Sequence, residues 1–158
     1  FKEIDSKDSL LKVTNDTYYD IVKFLEENER NTSLSLISVG GWVESLYIVT
    51  TLQQKYDENN RIIQLIADQK NIFENLILSL EQRSSEASIS EILEQLKPIK
   101  TVYDELEVIK IESPISDKPS GNQIIVGGTT KIVMTEEQFN KLKESIALVR
   151  NNLAEATV

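Results

Sequence analysis

One stretch of the sequence sets residues of unusual type side by side: Ser38-Val39-Gly40-Gly41-Trp42-Val43-Glu44-Ser45-Leu46-Tyr47. Two adjacent glycines inside an apolar helical run each cost about 1 kcal/mol relative to alanine, so something should compensate. Two explanations stand. Small residues at Ser38, Gly41 and Ser45 form a stripe on which another helix can approach closely. Alternatively, the glycines open the backbone to a ligand beside Trp42 and Tyr47, or act as a hinge. Gly40, Gly41, Trp42 and Tyr47 are therefore the candidate ligand or partner contacts. Glu44 lies between apolar neighbours and is expected to be buried, which demands a cationic or hydrogen-bonding partner. Arg150, which follows Ile146-Ala147-Leu148-Val149, is the expected partner in a bidentate ion pair that sets helix register.

Beyond that stretch the composition excludes more than it offers. The 158 residues contain no His and no Cys. Catalysis by Ser-His-Asp or Cys-His, disulfides, Cys/His zinc sites and a Glu-x-x-His di-iron site are thereby removed. Glu44 has no second acid or base at a readable spacing, so general acid–base catalysis is not expected. Asp57-Glu58-Asn59-Asn60 lacks the spacing and glycine of a calcium loop, and Gly127-Gly128 is followed by Lys131 but by no Gly-Lys-Ser/Thr. No metal, cofactor or catalytic residue is expected. Lys and Arg number 17 against 26 Asp and Glu, a formal charge of -9, which argues against nucleic acid as a partner. No stretch is expected to span a membrane, because Leu34 to Leu52 is interrupted by Ser35, Ser38, Glu44, Ser45, Thr50 and Thr51. The opening Phe1-Lys2-Glu3-Ile4, without an initiator Met, reads as part of a longer precursor.

The elements that must position these residues are helical. A single domain is expected over residues 1–158. Residues 1–13 read as an irregular lead-in. Thr14 reads as an N-cap, with Tyr18, Ile21, Val22 and Leu25 at helical spacing and fraying after Leu25. A central helix follows from about Ser33 to Asp57, apolar on nearly every face. Asp57 to Asn60 make a turn, and a third helix covers Arg61 to Gln82. Its one face is Ile62, Ile66, Gln69, Phe73, Leu76 and Leu80, widened by Ile63, Leu65, Ile72 and Ile77. Ser88-Ile89-Ser90-Glu91 matches a capping box for a fourth helix to about Ile111, with a kink or short break near Pro98. Residues 113–134 form a loop and hairpin, with Gly127-Gly128 turning between Gln123–Val126 and Thr129–Val133. Thr135-Glu136-Glu137-Gln138 is a capping box, stapled by Met134 and Phe139, for a last helix to about Ala154. The expected fold is all-α: an up-and-down bundle of about five helices with a small β-hairpin inserted before the last.

The Gly40-Gly41-Trp42-Val43-Glu44-Ser45-Leu46-Tyr47-Ile48 segment resembles helical lipoproteins of Bacteroidota. The preceding Leu25-Glu26-Glu27-Asn28-Glu29-Arg30 and the closing Thr135–Phe139 helix with Arg150 are similar too, so the resemblance covers most of the chain. It implies an α-helical fold, a place in the periplasm or at the outer membrane, and a precursor anchored by a lipidated N-terminal Cys that this chain lacks. Members are usually longer. The family brings no established activity and no catalytic residues. Two functions are open on this reading: a non-enzymatic envelope module that binds or scaffolds a partner through an exposed apolar patch or groove, or a small-molecule binding or sensing domain with a pocket between helices near Trp42 and Tyr47.

Overall fold

The computed structural model of the chain describes residues 7–111 and 129–155. Five helices and a two-stranded antiparallel sheet follow in order: α1 (Lys7–Glu27), α2 (Asn31–Leu52), α3 (Arg61–Glu81), α4 (Ala87–Asp104), β1 (Glu107–Ile111), β2 (Thr129–Val133) and α5 (Glu136–Glu155). This is the expected helical-bundle class with a hairpin before its last helix. The chain divides into two compact units, residues 1–41 and 42–158, so the boundary falls inside α2.

The first unit is α1 and the start of α2. The irregular lead-in expected for residues 1–13 is corrected from Lys7 onward, where α1 already runs. Nothing between Lys7 and Glu27 breaks a helix, and Asp8 suits the positive end of the dipole. Thr14 is therefore an interior residue whose Oγ1 donates to the Leu10 carbonyl at 2.9 Å, not an N-cap. The end of α1 is closed rather than frayed. Arg30 N–H donates to Leu25 O at 2.8 Å and Glu29 N–H to Glu26 O at 3.0 Å. These are the two bonds of a Schellman motif, and Glu29 takes the left-handed position (φ 56) that glycine usually fills. Among the described residues of this unit, Leu25, Ser35 and Val39 are buried.

In the second unit, α4 packs against both α3 and α5, and β2 lies against α3. The core is built from Ile63, Ile66, Phe73, Ile77 and Leu80 of α3, Ile89, Leu96, Ile99 and Tyr103 of α4, and Phe139, Leu142, Ile146 and Val149 of α5. On α5 those four residues step 3-4-3, the pattern of a packed helix. The capping box at its start is complete: Gln138 N–H donates to Thr135 Oγ1 at 3.2 Å, and Thr135 N–H donates to Gln138 Oε1 at 2.9 Å.

Four boundaries differ from the sequence reading, the first being the start of α2, at Asn31 instead of about Ser33. The central helix stops at Leu52, short of Asp57. Tyr56 must leave the helix so that its hydroxyl can donate to the Met134 carbonyl at 2.6 Å, and Asn60 caps α3 by accepting from Ile62 N–H at 2.8 Å. Helix α4 starts at Ala87 with Glu86 as N-cap, so Ser88 is inside the first turn and the Ser88–Glu91 box does not form. The Arg83–Glu86 turn, closed by Glu86 N–H donating to Arg83 O at 3.0 Å, feeds the helix earlier than the box would. It then runs through Pro98 without the expected break and ends at Asp104 instead of Ile111. Lys70 Nζ donates to the Tyr103 carbonyl at 2.7 Å, placing a cation at the negative end of α4.

Past Leu106 the β-branched Val108, Ile109 and Ile111 favour a strand. That strand, β1, pairs antiparallel with β2 from Glu107↔Val133 to Ile111↔Thr129. The expected second strand at Thr129–Val133 is present, with Glu107–Ile111 as its partner. The expected strand at Gln123–Val126 and the Gly127-Gly128 turn lie outside the described residues. A lone hairpin is marginal, and this one is anchored: Gln64 Nε2 donates to Ile132 O at 3.0 Å, and Ile132 and Met134 are buried.

Candidate functional site

The singled-out stretch lies on α2, and the structure does not gather its residues into one site. Gly40 and Gly41 are exposed, and a Cβ added at either would meet no atom within 4 Å. Close helix packing through Gly41 is therefore not what compensates the glycines among the described residues. Gly40→Ala and Gly41→Ala are expected to stabilise the fold by up to about 1 kcal/mol each, since helix propensity rises and nothing is displaced. Thermal unfolding of both variants checks this, and a loss of stability would show that something does press on the glycines.

Trp42 and Tyr47 point to different surroundings, as residues 5 apart on a helix must, being about 140° apart around its axis. The Trp42 ring stacks on Phe73 at 4.9 Å between centroids, and Phe73 in turn lies 5.4 Å from Tyr103. Trp42 Nε1 donates to Gln69 Oε1 at 3.2 Å, and the buried Tyr103 hydroxyl donates to Ile66 O at 3.2 Å. Burial pushes the Tyr103 phenol well above its ordinary pKa. Tyr47 instead lies under the Arg150 guanidinium, 4.4 Å from ring centroid to Cζ.

Glu44 and Arg150 are paired across 106 positions of sequence. Arg150 Nε donates to Glu44 Oε2 at 2.6 Å and Arg150 Nη2 to Glu44 Oε1 at 3.3 Å, a bidentate contact that ties α2 to α5. The expected burial of Glu44 is corrected: its side chain is 46% exposed and that of Arg150 37%. One turn of helix places Glu44 at the edge of the packed face that Val43 and Leu46 occupy, so water reaches its carboxylate.

The side of α2 that carries Trp42 borders a groove with α3. It has a volume of about 350 Å³ and is lined by Trp42, Ser45, Leu46, Val49, Leu52, Gln53, Ile62, Leu65, Ile66 and Gln69. Leu46 and Ile66 form its buried floor. Its rims are exposed apolar side chains: Leu52 is 76%, Leu65 50% and Ile62 41% exposed. The lining holds no ionisable group; its polar groups are two amides, one hydroxyl and the Trp42 indole N–H. Of the candidate contacts only Trp42 belongs to it. The α3 residues were missed as site residues, although the sequence carried a signal. The apolar residues of α3 exceed one helical face, and Ile62, Leu65, Ile72 and Leu78 are left exposed.

A second, polar hollow of about 260 Å³ lies between Tyr56, Glu58, Gln64, Lys131 and Met134. Its central groups anchor the hairpin. Gln64 Nε2 also donates to Asp68 Oδ1 at 2.8 Å, and burial, with Glu58, Glu136 and Asp57 nearby, raises the Tyr56 phenol. Among the described residues no three His, Cys, Asp or Glu side chains are placed to hold a metal ion.

The expectation that no stretch approaches a membrane span is revised for α2, which by length and composition alone is sufficient to cross one. Its mid-helix Trp42 and Glu44 are nonetheless bonded to Gln69 of α3 and Arg150 of α5, as in a packed helix.

No protein-family model, no curated protein and no solved structure matches the chain.

Proposed function

We propose that the chain is a non-enzymatic binding or scaffolding module of the bacterial cell envelope, and that the α2–α3 groove is where it docks the apolar face of a helical partner. The observation that carries this reading is the groove itself. It is open, apolar, floored by the core and rimmed by Leu52, Ile62 and Leu65 standing largely in water. Exposed apolar surface of this kind marks interaction sites, and a groove between two helices suits a third helix laid into it. A lining without an acid, base or nucleophile–base pair supports binding over catalysis. The envelope location rests on the resemblance of the Gly40–Ile48 segment to helical lipoproteins. Palmitate labelling of the natural gene product in its host tests it, with an unlabelled cytoplasmic product as the contrary result.

Trp42 is the chain's single tryptophan and forms one wall of the groove, so its emission reports occupancy. Titration with a model amphipathic helical peptide is expected to shift Trp42 emission to the blue, saturably. Leu65→Glu is expected to weaken that binding at least about tenfold by placing a charge against apolar surface, with thermal stability unchanged because Leu65 is half exposed. Unchanged Trp42 emission at saturating peptide would remove this reading. A small apolar ligand is the second reading, favoured by a volume at the lower end of the roughly 300–1,000 Å³ of ligand sites. A shift produced by 1-octanol and not by peptide would select it.

A further inference from the structure

Helix α3 carries a second apolar seam besides the one it turns to the core. Ile62, Leu65, Gln69, Ile72 and Leu76 step 3-4-3-4 along about 21 Å of helix, the spacing of a helix-pairing face. Ile62, Leu65 and Ile72 are 41%, 50% and 51% exposed, and Gln69 and Leu76 are partly exposed. Its polar member, Gln69, stands at the middle, seven residues from each end. Read from either end, the seam presents apolar residues, then the amide, then apolar residues again. That is self-complementarity, the property an interface with two-fold symmetry requires.

We infer that this surface docks a second copy of the same chain, the two α3 helices crossing antiparallel on a two-fold axis at Gln69. The inference rests on the groove being a docking surface and names its occupant. In this arrangement Ile62 meets the partner's Leu76, which enters the end of the groove beside Leu52. Leu65 lies beside the partner's Ile72.

The amide at the centre distinguishes a second copy from an arbitrary apolar helix. Gln69 Oε1 already accepts from Trp42 Nε1, while its Nε2 hydrogens have no partner among the described residues. An all-apolar helix laid over the seam would bury those hydrogens unpaired, which disfavours it. A second copy brings the partner's Gln69 to the same place, and its Oε1 has a second lone pair to accept the bond. One polar residue in an otherwise apolar seam also sets register. The net charge of -9 per chain opposes association at long range, so pairing is driven by apolar contact and strengthens as salt screens the repulsion.

Sedimentation velocity across about 5–500 µM protein tests this, the span over which a small interface of this kind dissociates. The wild-type chain is expected to pass reversibly from monomer to dimer, with the midpoint moving to lower concentration at higher salt. Ile72→Glu, outside the groove lining and half exposed, is expected to weaken dimerisation at least about thirtyfold by burying a charge at the seam. Because the chain has no cysteine, Gln69→Cys provides an independent test. Under mild oxidation it is expected to form a disulfide-linked dimer at least about tenfold faster than Ser88→Cys, an exposed position on α4. A wild-type chain monomeric at the highest concentration, or Gln69→Cys cross-linking no faster than Ser88→Cys, overturns the inference. If the peptide still shifts Trp42 emission in that case, the groove remains a binding surface and only its occupant is wrong. If the peptide also fails, the groove reading falls with it.

Discussion

Phe73→Ala is expected to remove about 3–5 kcal/mol of stability, the usual range for truncating a fully buried Phe. The side chain is 1% exposed on α3, stacked on Trp42 at 4.9 Å and packed against Tyr103 at 5.4 Å. Its loss forfeits the transfer free energy of the ring, leaves a cavity beneath Trp42, and ends two ring–ring contacts worth roughly 0.5–1.5 kcal/mol each. A domain of this size has a net stability of about 5–15 kcal/mol, so the variant should fall close to the edge of folding. Urea unfolding should show a lower midpoint at an unchanged slope. Phe73→Leu, which fills most of the space, should retain more than half of the lost stability. Trp42 also rests on Phe73 where it walls the groove, so Phe73→Ala should loosen peptide binding at temperatures where it remains folded. A loss below 1 kcal/mol would show that the three rings do not form a close-packed cluster.

The second large effect is alkaline. Burial holds the Tyr103 phenol neutral well above its ordinary 10.0, whereas in the unfolded chain it ionises normally. Above about pH 10 the unfolded state therefore binds fewer protons than the folded state, and stability falls by up to about 1.4 kcal/mol per pH unit. The contribution is fully present below pH 10 and is lost as pH rises above it. Tyr56, raised chiefly by burial, acts in the same direction, as do the raised Lys100, held mainly by its hydrogen bond to Asp104, and Lys141, held mainly by Glu137. Tyr103→Phe isolates the main term. At neutral pH it should cost about 1 kcal/mol, because the hydroxyl no longer donates to Ile66 O. Between pH 10 and 11.5 its stability should decline less steeply than that of the wild type. Parallel curves for the two proteins would show that Tyr103 is not the group responsible.

The elements could be read wherever one local signal acted without competition. The Thr135–Gln138 capping box and the Phe139, Leu142, Ile146 and Val149 seam placed α5, because both depend on contacts within four residues of sequence. The polar Asp57–Asn60 turn placed the start of α3, and the structure adds Asn60 as its cap. The reading failed where two local signals competed. Thr14 and Ser88 are good N-caps, but the helices had already begun at Lys7 and Ala87, and a capping residue inside a helix is tolerated. The register of β2 depended on a partner some twenty residues away in sequence, which no local turn signal determines.

By itself the sequence determined the all-helical class, the presence of β2 and the absence of His and Cys from its 158 residues. Periodicity, capping and composition are local or additive, and they need no tertiary contact to be evaluated. It also pointed to Glu44 and Arg150 as partners, because one carboxylate and one guanidinium stood out from apolar runs. Only the tertiary structure decided where these features lead. It turned Trp42 to α3 and Tyr47 to Arg150, left Gly40 and Gly41 exposed, and left Glu44 half in water. It also decided that part of the apolar surplus on α3 faces outward. A helix with apolar residues on more than one face states how much surface seeks cover. Which face the core takes depends on how many neighbours pack around it, and that is a property of the assembled chain.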